Sequence, residues 1–306
     1  MKFLIIGATG LVGRHLLSVA RRRGHETVGT FCSHPEPGLL ALDITDPAAV
    51  ATAVAAVRPE AILLAAAEPN VDFCEQNPEA SRRVNVAGTN NVAAAAARLG
   101  VPLAYFSSDY IFDGAAGPYR ETDTPNPISE YGRQKLQAER LIAAELSAYL
   151  IIRTTGVYGA EPMGKNFVAR LGQRLGAGET VRVPSDQYGN PTSASDLAEC
   201  VVELLERSLY GVYNVSGPER LSRLDFAKII AEELTLDPRL VQPVTTATLK
   251  QTARRPLQGG FILDKLRAAI GRDTLPPRAG LRAMRKESSE PPRRNVGAGS
   301  RQRRAS

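Results

Sequence analysis

Short apolar runs alternate with longer amphipathic stretches along the first half of the chain. The apolar runs are Phe3–Ile6, Thr27–Phe31, Ala61–Ala67, Val101–Phe106 and Tyr149–Arg153. Runs of this length without polar interruption are typical of strands that are buried on both faces of a parallel sheet. Helical patterns lie between them, ending near Gly24, covering Ala48–Val57 and about Pro78–Leu99, and following Tyr131. This alternation predicts right-handed βαβ units and an α/β fold with a doubly wound parallel sheet.

The second half of the chain is less regular. It contains helical patterns at Asp196–Leu205 and Ser222–Leu234 and a strand pattern at Gly211–Val215. We therefore predict a Rossmann core over residues 1–153, and the remaining Rossmann elements with a smaller substrate lobe over 154–285. Residues 286–306 are predicted to be a disordered basic tail, because glycine, proline, serine and arginine dominate from Ser288 onward.

The net charge of +6 comes from the end of the chain rather than from the fold. Residues 282–306 hold eight arginines and lysines against two glutamates, which accounts for the whole excess. The remaining body is formally neutral, so its charge gives no support to nucleic-acid binding. A solvated tail is favoured over a nucleic-acid or membrane role for this segment.

Cysteine and histidine positions narrow the chemistry. Three scattered cysteines form no disulfide framework, and neither a signal peptide nor a membrane span is predicted, which favours a cytoplasmic protein. All three histidines precede residue 35. None is available downstream for a Ser-His-Asp triad or a histidine-rich metal site, so we predict no metal site.

A glycine-rich turn follows the first apolar run directly. Gly7, Gly10 and Gly13 are spaced as GxxGxxG between a predicted strand and a predicted helix. Small residues there let the backbone approach a pyrophosphate, whose charge the helix amino terminus stabilises. The candidate cofactor-binding residues at this turn are Gly7, Thr9, Gly10, Leu11, Val12 and Gly13.

The end of the second predicted strand bears on the choice of cofactor. An acidic residue at this point usually accepts the ribose hydroxyls of NAD. The segment Thr30–His34 has no carboxylate, so we expect NADP(H) to be preferred, with NAD(H) as the alternative. Ser33 and His34 are candidate contacts, although no arginine stands in this segment to hold a phosphate.

Candidate chemistry centres on Tyr131 and Lys135. Four residues apart on a predicted helix, they share one face. An ammonium near a phenol stabilises the phenolate and makes the phenol a better acid, which suits protonation of an oxygen whose carbon receives a hydride. Ser108 ends a predicted strand upstream, where its hydroxyl can donate a hydrogen bond to a carbonyl oxygen.

The strings SSDYIFDG and PYRETDTPNPISEYGRQKLQAE resemble the extended short-chain dehydrogenases/reductases, and within them the dTDP-4-dehydrorhamnose reductase family. The resemblance covers about residues 1–285. It implies NADPH-dependent reduction of the 4-keto group of a nucleotide-linked deoxysugar, with Ser108, Tyr131 and Lys135 as catalytic residues. The further residues that it implies are Asp43 and Ile44 beside the adenine, Ala65, Ala66 and Ala67 along the cofactor, and Asp109, Tyr110, Gln187 and Thr192 for the substrate.

Several of these residues have a second interpretation. Asp43 precedes Thr45 and Asp46, either of which could cap the next helix. The asparagine of VNVAGTNN, Asn85, is as well suited to holding backbone as to catalysis. The segment from Val183 to Thr192 could simply be a turn before a helix capped by Ser193 or Ser195.

Other functions within the resemblance stay open. The regulatory beta subunit of methionine adenosyltransferase is a related protein that would bind the dinucleotide without turning over a sugar. Gly156 keeps this alternative in view, because the rhamnose reductases commonly have tryptophan there. An epimerase or dehydratase with tightly held NAD is the third option, and the Asp109-Tyr110 pair counts against a dehydratase. A homodimer is an option that the sequence does not settle.

Overall fold

Strands and helices alternate through residues 1–289, which are the residues that the structure, a computed structural model, describes. The strands are β1 (Lys2–Ile6), β2 (Glu26–Phe31), β3 (Leu40–Ala41), β4 (Ala61–Leu64), β5 (Leu103–Ser108), β6 (Tyr149–Thr154), β7 (Val157–Tyr158), β8 (Val181–Pro184), β9 (Tyr188–Gly189), β10 (Thr192–Ser193), β11 (Gly211–Asn214), β12 (Leu221–Ser222) and β13 (Val241–Val244). The helices are α1 (Leu11–Arg22), α2 (Pro47–Val57), α3 (Val71–Gln76), α4 (Pro78–Arg82), α5 (Thr89–Leu99), α6 (Glu130–Glu145), α7 (Phe167–Gly176), α8 (Ala194–Glu206), α9 (Arg223–Glu233), α10 (Asp264–Ile270) and α11 (Pro277–Ser289).

Within this part of the chain, a seven-stranded parallel sheet has the order β11-β6-β5-β4-β1-β2-β3. The chain builds outward from β1 through β2 and β3, then returns to the other side of β1 and continues from β4. The carboxyl ends of β1 and β4 therefore border the point where the winding reverses, which is where open parallel sheets bind ligands. The predicted α/β, doubly wound fold is confirmed.

The strands formed by the apolar runs are buried, because helices cover both faces of the sheet. Residues Phe3 to Ile6 of β1 are at most 1% exposed, and Ala61–Leu64 is buried to the same extent. One face of the sheet packs against α1, α8 and α10, and the other packs against α2, α5 and α6. Strands covered on both faces have no polar side to present, so their sequences lack the alternation of half-exposed strands.

A smaller lobe stands over one end of the sheet. Its core joins α7, α9 and α11 to the parallel pair β8 and β13, with Val181, Ile230 and Leu281 among its buried residues. The chain enters this lobe after β6, returns to the sheet for β11, and enters it again. The lobe is therefore not one continuous segment of the sequence, because β11, which lies between its two parts, belongs to the sheet.

Three predicted boundaries are corrected by the structure. The strand predicted over Ala61–Ala67 ends at Leu64, because Ala65 N donates the last ladder bond to Ile6 O (2.9 Å) and the chain then leaves the sheet. The helix predicted over Pro78–Leu99 contains a wider π-helical turn at Arg83–Gly88. α11 runs to Ser289, so the first residues of the predicted tail, 286–289, are helical; the rest of the predicted tail lies outside the described residues.

No helix within residues 1–289 combines the length and the apolar character needed to cross a membrane.

A buried ion pair ties α6 to the sheet. The guanidinium of Arg153, at the end of β6, binds the carboxylate of Glu139 on α6 at 2.7 Å, and the two side chains are 7% and 5% exposed. Arg153 also donates to the Glu121 carbonyl (3.0 Å). Each charge is neutralised by the other, so removing one would leave the other buried without compensation.

We therefore predict that Glu139→Ala lowers the free energy of unfolding by about 3 kcal/mol or more, the range for breaking one side of a buried pair. Urea denaturation measures this. Glu179→Ala is the matched control, because Glu179 pairs with Arg174 at 2.7 Å with both side chains half exposed. The control should change the free energy by less than about 1 kcal/mol, and equal losses in the two variants would contradict the prediction.

Candidate active site

The glycine-rich turn lies between β1 and α1, and its three glycines have different reasons to be glycine. Gly7 has a φ of +86°, and a Cβ there would lie 2.8 Å from Ala66 N. A Cβ on Gly13 would overlap the Gly7 carbonyl oxygen. At Gly10, by contrast, a Cβ would make an ordinary contact of 3.4 Å with that oxygen, and the residue is exposed. Packing within the protein therefore explains Gly7 and Gly13 but not Gly10.

The space over Gly10 fits a phosphate group. Gly10 caps α1, and the backbone N–H groups of Leu11 and Val12, in the first helical turn, have no partner within the helix. Thr9, Leu11 and Val12 are half-buried around this turn, and Ala65–Ala67 lies half-buried where β4 ends beside β1. A helix amino terminus with free N–H groups and a side-chain-free approach is an anion site.

The loop after β2 brings in a residue that the sequence reasoning missed. Ser33 and His34 are exposed, and the two side chains are hydrogen-bonded to each other (2.9 Å). Arg14, from the first turn of α1, reaches this loop and binds the Glu36 carboxylate at 2.8 Å and the Thr9 carbonyl at 3.3 Å. As predicted, no arginine directly follows β2 along the chain, but the fold brings Arg14 of α1 to this loop.

The two residues predicted beside the adenine have other roles in this structure. Asp43 is exposed and accepts hydrogen bonds from the backbone and hydroxyl of Thr45 (2.9 and 2.8 Å). Asp46, rather than Thr45, caps α2. The side chain of Ile44 is buried against Gly88, where a Cβ would lie 2.7 Å from it. The contact of these two residues with the adenine stays a prediction.

Ser108, Tyr131 and Lys135 meet at the carboxyl edge of the sheet. Ser108 is the last residue of β5, and Ser129 caps α6 by accepting from Gly132 N, which places Tyr131 in the first helical turn. Lys135 follows one turn later, is 3% exposed, and donates to the Phe106 carbonyl of β5 at 2.9 Å. Its ammonium lies 5.8 Å from the centre of the Tyr131 ring.

The protonation states of this pair differ from the expectation. Burial lowers the pKa of Lys135 to about 8. Burial also raises the pKa of Tyr131 above its ordinary value, with Tyr110 and Asp109 adding to the effect and a hydrogen bond with Ser108 opposing it. The expected lowering of the phenol's pKa by the Lys135 ammonium is therefore not observed, and desolvation dominates. Tyr131 is therefore held in the protonated form that a proton donor needs.

Asp109 and Tyr110 continue the chain from Ser108 into a cleft between the sheet and the lobe. Asp109, Tyr110 and Thr155 are among the residues that line this cleft, which is partly open to solvent. Asp109 is 6% exposed and accepts a hydrogen bond of 2.7 Å from Thr155. The Tyr110 ring meets the Tyr131 ring edge to face, with 5.7 Å between ring centres. Tyr131 is thus connected to the cleft through Tyr110.

Two residues of the segment from Val183 to Thr192 were predicted to contact the substrate, and one of them lines the cleft. Gln187 lines the cleft, although its amide also donates to Thr246 Oγ1 (3.0 Å). Thr192 does not line it: it is 3% exposed and donates to the Thr155 carbonyl at 2.6 Å, and its contact with a substrate stays a prediction. Its hydroxyl instead fixes the turn that carries Thr155 and Gly156. Ser193 stands at the amino terminus of α8, as one of the two alternatives had it, without a side-chain capping bond.

Gly156 lines the cleft in the left-handed region, with a φ of +56°. A Cβ there would meet nothing closer than Pro191 Cα at 3.6 Å. The residue therefore leaves open space on the cleft wall where a side chain would fit sterically, at the cost of a strained backbone.

Two arginines at the cleft were missed because no local motif marks them. Arg223 opens α9, lines the cleft, and stacks on the Phe167 ring at 4.0 Å. Arg255 lies 5.9 Å from the centre of the Tyr110 ring and binds Asp72 at 2.8 Å. They come from distant parts of the chain, and only the fold places both beside Tyr110. Arg223 thus puts a positive charge on the cleft wall, and Arg255, paired with Asp72, lies behind Tyr110.

Asn85 has a structural role in this arrangement. Its side chain accepts from Glu68 N (2.8 Å) and donates to Glu68 O (3.1 Å) and to Gln134 Oε1 (2.9 Å). These bonds hold the loop after β4 against α6. Of the two roles that the sequence left even, the structure therefore supports the holding of backbone.

The parallel sheet, its glycine-rich turn and the Tyr-Lys pair at its edge define a Rossmann-type protein. The family model of the RmlD substrate binding domain matches residues 1–289, so the chain belongs to that family. The predicted resemblance is confirmed.

Relatives with two different names match the chain over most of its length. A dTDP-4-dehydrorhamnose reductase of Mycobacterium tuberculosis is 35% identical, over 83% of this chain and 82% of its own. The methionine adenosyltransferase 2 subunit beta of Xenopus laevis is 32% identical, over 91% and 85%. A crystal structure of dTDP-4-dehydrorhamnose reductase from Bacillus anthracis in complex with NADP has a TM-score of 0.86, 30% identity and coverage of 94% and 99%.

Proposed function

We propose that the protein is an NADPH-dependent reductase of the 4-keto group of a nucleotide-linked deoxysugar, dTDP-4-dehydrorhamnose or a close relative. The observation that carries the proposal is the meeting of Ser108, Tyr131 and Lys135 beside a cleft that Arg223 lines. The family, and the names of the M. tuberculosis and B. anthracis relatives, support it.

Residues at the glycine turn fit the dinucleotide. The pyrophosphate would lie over Gly10 against the amino terminus of α1, and Ala65–Ala67 would border it. Arg14 is placed to bind the 2′-phosphate that distinguishes NADPH from NADH, in exchange for Glu36. Bound there, NADPH supplies the hydride for the keto carbon.

The side chains at the sheet edge orient and protonate the carbonyl oxygen of the substrate. Tyr131 donates its proton to the carbonyl oxygen as negative charge develops on it. Lys135, fixed by the Phe106 carbonyl, holds a positive charge near the phenol and reaches the nicotinamide ribose. Ser108 orients the carbonyl, with Asp109, Tyr110 and Gln187 on the substrate side. Arg223 and Arg255 provide the charge that a nucleotide diphosphate needs.

A regulatory subunit is the second candidate, because the Xenopus laevis relative carries that name. A subunit of that kind would keep the dinucleotide site and leave Tyr131 without a reaction. Gly156 leaves open space on the cleft wall, which is compatible either with a different sugar substrate or with no sugar substrate. A homodimer and a cytoplasmic location remain predictions from the sequence.

The cofactor site is tested by two substitutions. Gly10→Val should abolish binding of both NADPH and NADH, because the side chain fills the phosphate approach while the protein itself has room for a Cβ. Arg14→Gln should weaken NADPH by about 10- to 100-fold and leave NADH nearly unchanged, since it removes a charged hydrogen-bond donor to the extra phosphate. Fluorescence titration of both dinucleotides measures these affinities.

Arg21→Gln is the matched control, since Arg21 lies on the same helix and bonds Thr27 at the exposed surface. The control should bind both dinucleotides as the parent does. Normal binding by Gly10→Val, or tighter binding of NADH than NADPH by the parent, would refute this account of the cofactor site.

The proton donor is tested by Tyr131→Phe. This change removes one hydroxyl and keeps the ring, so turnover should fall by about a hundredfold or more while cofactor binding persists. Lys135→Met should impair both turnover and cofactor binding, and Ser108→Ala should cost less than Tyr131→Phe. The assay follows NADPH absorbance with a panel of nucleotide-linked 4-keto sugars.

The same assay separates the two candidates. A reductase requires an active parent, and an equally active Tyr131→Phe would eliminate the mechanism. A regulatory subunit predicts no reduction of any sugar by the parent and unchanged partner function in Tyr131→Phe.

A further inference from the structure

The hydroxyl of Ser108 has one proton, which Asp109 takes in this structure. Ser108 Oγ lies 3.2 Å from Asp109 Oδ1, to which it donates, and it accepts from Tyr110 N at 3.3 Å. Ser108 is also near enough to the Tyr131 phenol to oppose the rise in its pKa. A serine hydroxyl donates only one hydrogen bond. While that bond goes to Asp109, Ser108 has no proton for a substrate carbonyl.

The state of Asp109 decides the direction of this chain of hydrogen bonds. An ionised Asp109 can only accept, so it takes the Ser108 proton, and none is left for the substrate carbonyl. A neutral Asp109 can donate to Ser108, which frees the Ser108 proton for the carbonyl. Tyr110 N and Asp109 then fill both acceptor positions of Ser108.

The surroundings of Asp109 make both protonation states accessible, since burial favours the neutral form and the Thr155 and Ser108 hydroxyls stabilise the ionised one. Its side chain forms no ion pair within the described residues, and the Thr155 hydroxyl occupies its Oδ2 at 2.7 Å. A proton on the carboxyl group is therefore favoured on Oδ1, the oxygen that faces Ser108. A Cβ on Gly259 would lie 3.0 Å from Oδ2, so the backbone of that segment closes the other side.

We propose that Asp109 is a positioning residue that works in its protonated form, acting on Ser108 so that the Ser108 hydroxyl is aimed at the substrate carbonyl. The inference rests on the proposed reductase function and assigns it an active protonation state. It adds a specific role to a residue that the sequence placed only among the substrate contacts.

The charge environment supports this role. Burial raises the pKa of Asp109 to about 6, against the opposing effect of hydrogen bonds from Thr155 and Ser108. The titratable groups that face it are Tyr131 from α6 and Tyr110 beside it, and the nearby Arg223 and Arg255 act on Tyr110. An ionised Asp109 also raises the pKa of Tyr131, which opposes proton donation. Turnover should therefore fall as pH rises through the Asp109 midpoint.

The first test is the pH profile of kcat in two threonine variants. Thr155→Val removes the hydrogen bond that stabilises the ionised carboxylate, so the midpoint should move to higher pH. Thr154→Val is the matched control, because the adjacent Thr154 hydroxyl is buried without a hydrogen-bond partner within the described residues. A parent profile that is flat through this range, or the same shift in both variants, would overturn the inference.

The second test is Asp109→Asn, whose amide group can donate to Ser108 at every pH. This variant should keep kcat within about tenfold of the parent maximum and lose the pH dependence, whereas Asp109→Ala should lose both orientation and activity. Cofactor binding by both variants, measured by fluorescence, checks that they are folded. An Asp109→Asn variant that binds NADPH but is inactive at every pH would show that the carboxylate itself is needed.

A third measurement separates this inference from the reductase proposal. Carbon-13 NMR of the NADP complex, with aspartate carboxyl and tyrosine ring labels, follows Asp109 and Tyr131 directly. Tyr131 should respond as Asp109 titrates in the parent and should not respond in Asp109→Asn. Absence of this coupling overturns the inference whatever the turnover. Coupling in a protein that reduces no keto sugar at any pH would overturn the reductase proposal alone.

Discussion

The hydrogen bond from the Lys135 ammonium to the Phe106 carbonyl is the contact on which the candidate site depends. It joins α6 to β5 at 2.9 Å in a buried setting, and it fixes Tyr131, one turn earlier, beside Ser108 at the end of the strand. A lysine so placed loses most of its hydration, which lowers its pKa to about 8. The arrangement is held by the sheet and helix rather than by a flexible loop, as a site for proton transfer needs.

The buried charged groups are of two kinds, those that form an ion pair and those that do not. Arg153 and Glu139 neutralise each other and connect the same helix to the next strand, so their burial holds the structure together. Lys135 and Asp109, within the described residues, form no ion pair, and desolvation moves both of their pKa values toward neutrality. Unpaired buried charges destabilise a fold, and they cluster where a protein uses a proton. The edge of β5 is such a place.

Local patterns were enough to predict the sheet and the central residues, because a buried parallel strand, a glycine turn and a helical Tyr-Lys pair each show within a short stretch. Contacts between distant stretches were not predictable. Arg14 reaches the β2 loop, and Arg223 and Arg255 meet Tyr110, only through the fold. Thr192 and Ile44 were assigned to ligands by resemblance, yet their side chains are occupied in packing and backbone support. The direction of the hydrogen bonds at Asp109 also requires coordinates.

The central claim is that hydride and proton are delivered to one carbonyl at this edge of the sheet. Single turnover with NADPH deuterated at the transferable position tests it most directly, using dTDP-4-dehydrorhamnose and mass and NMR analysis of the sugar. The account predicts deuterium bonded to carbon 4, the carbon that carries the new hydroxyl, with one NADPH oxidised for each sugar. Deuterium at another carbon, or an unchanged sugar with NADPH intact in a protein that binds both, would contradict it.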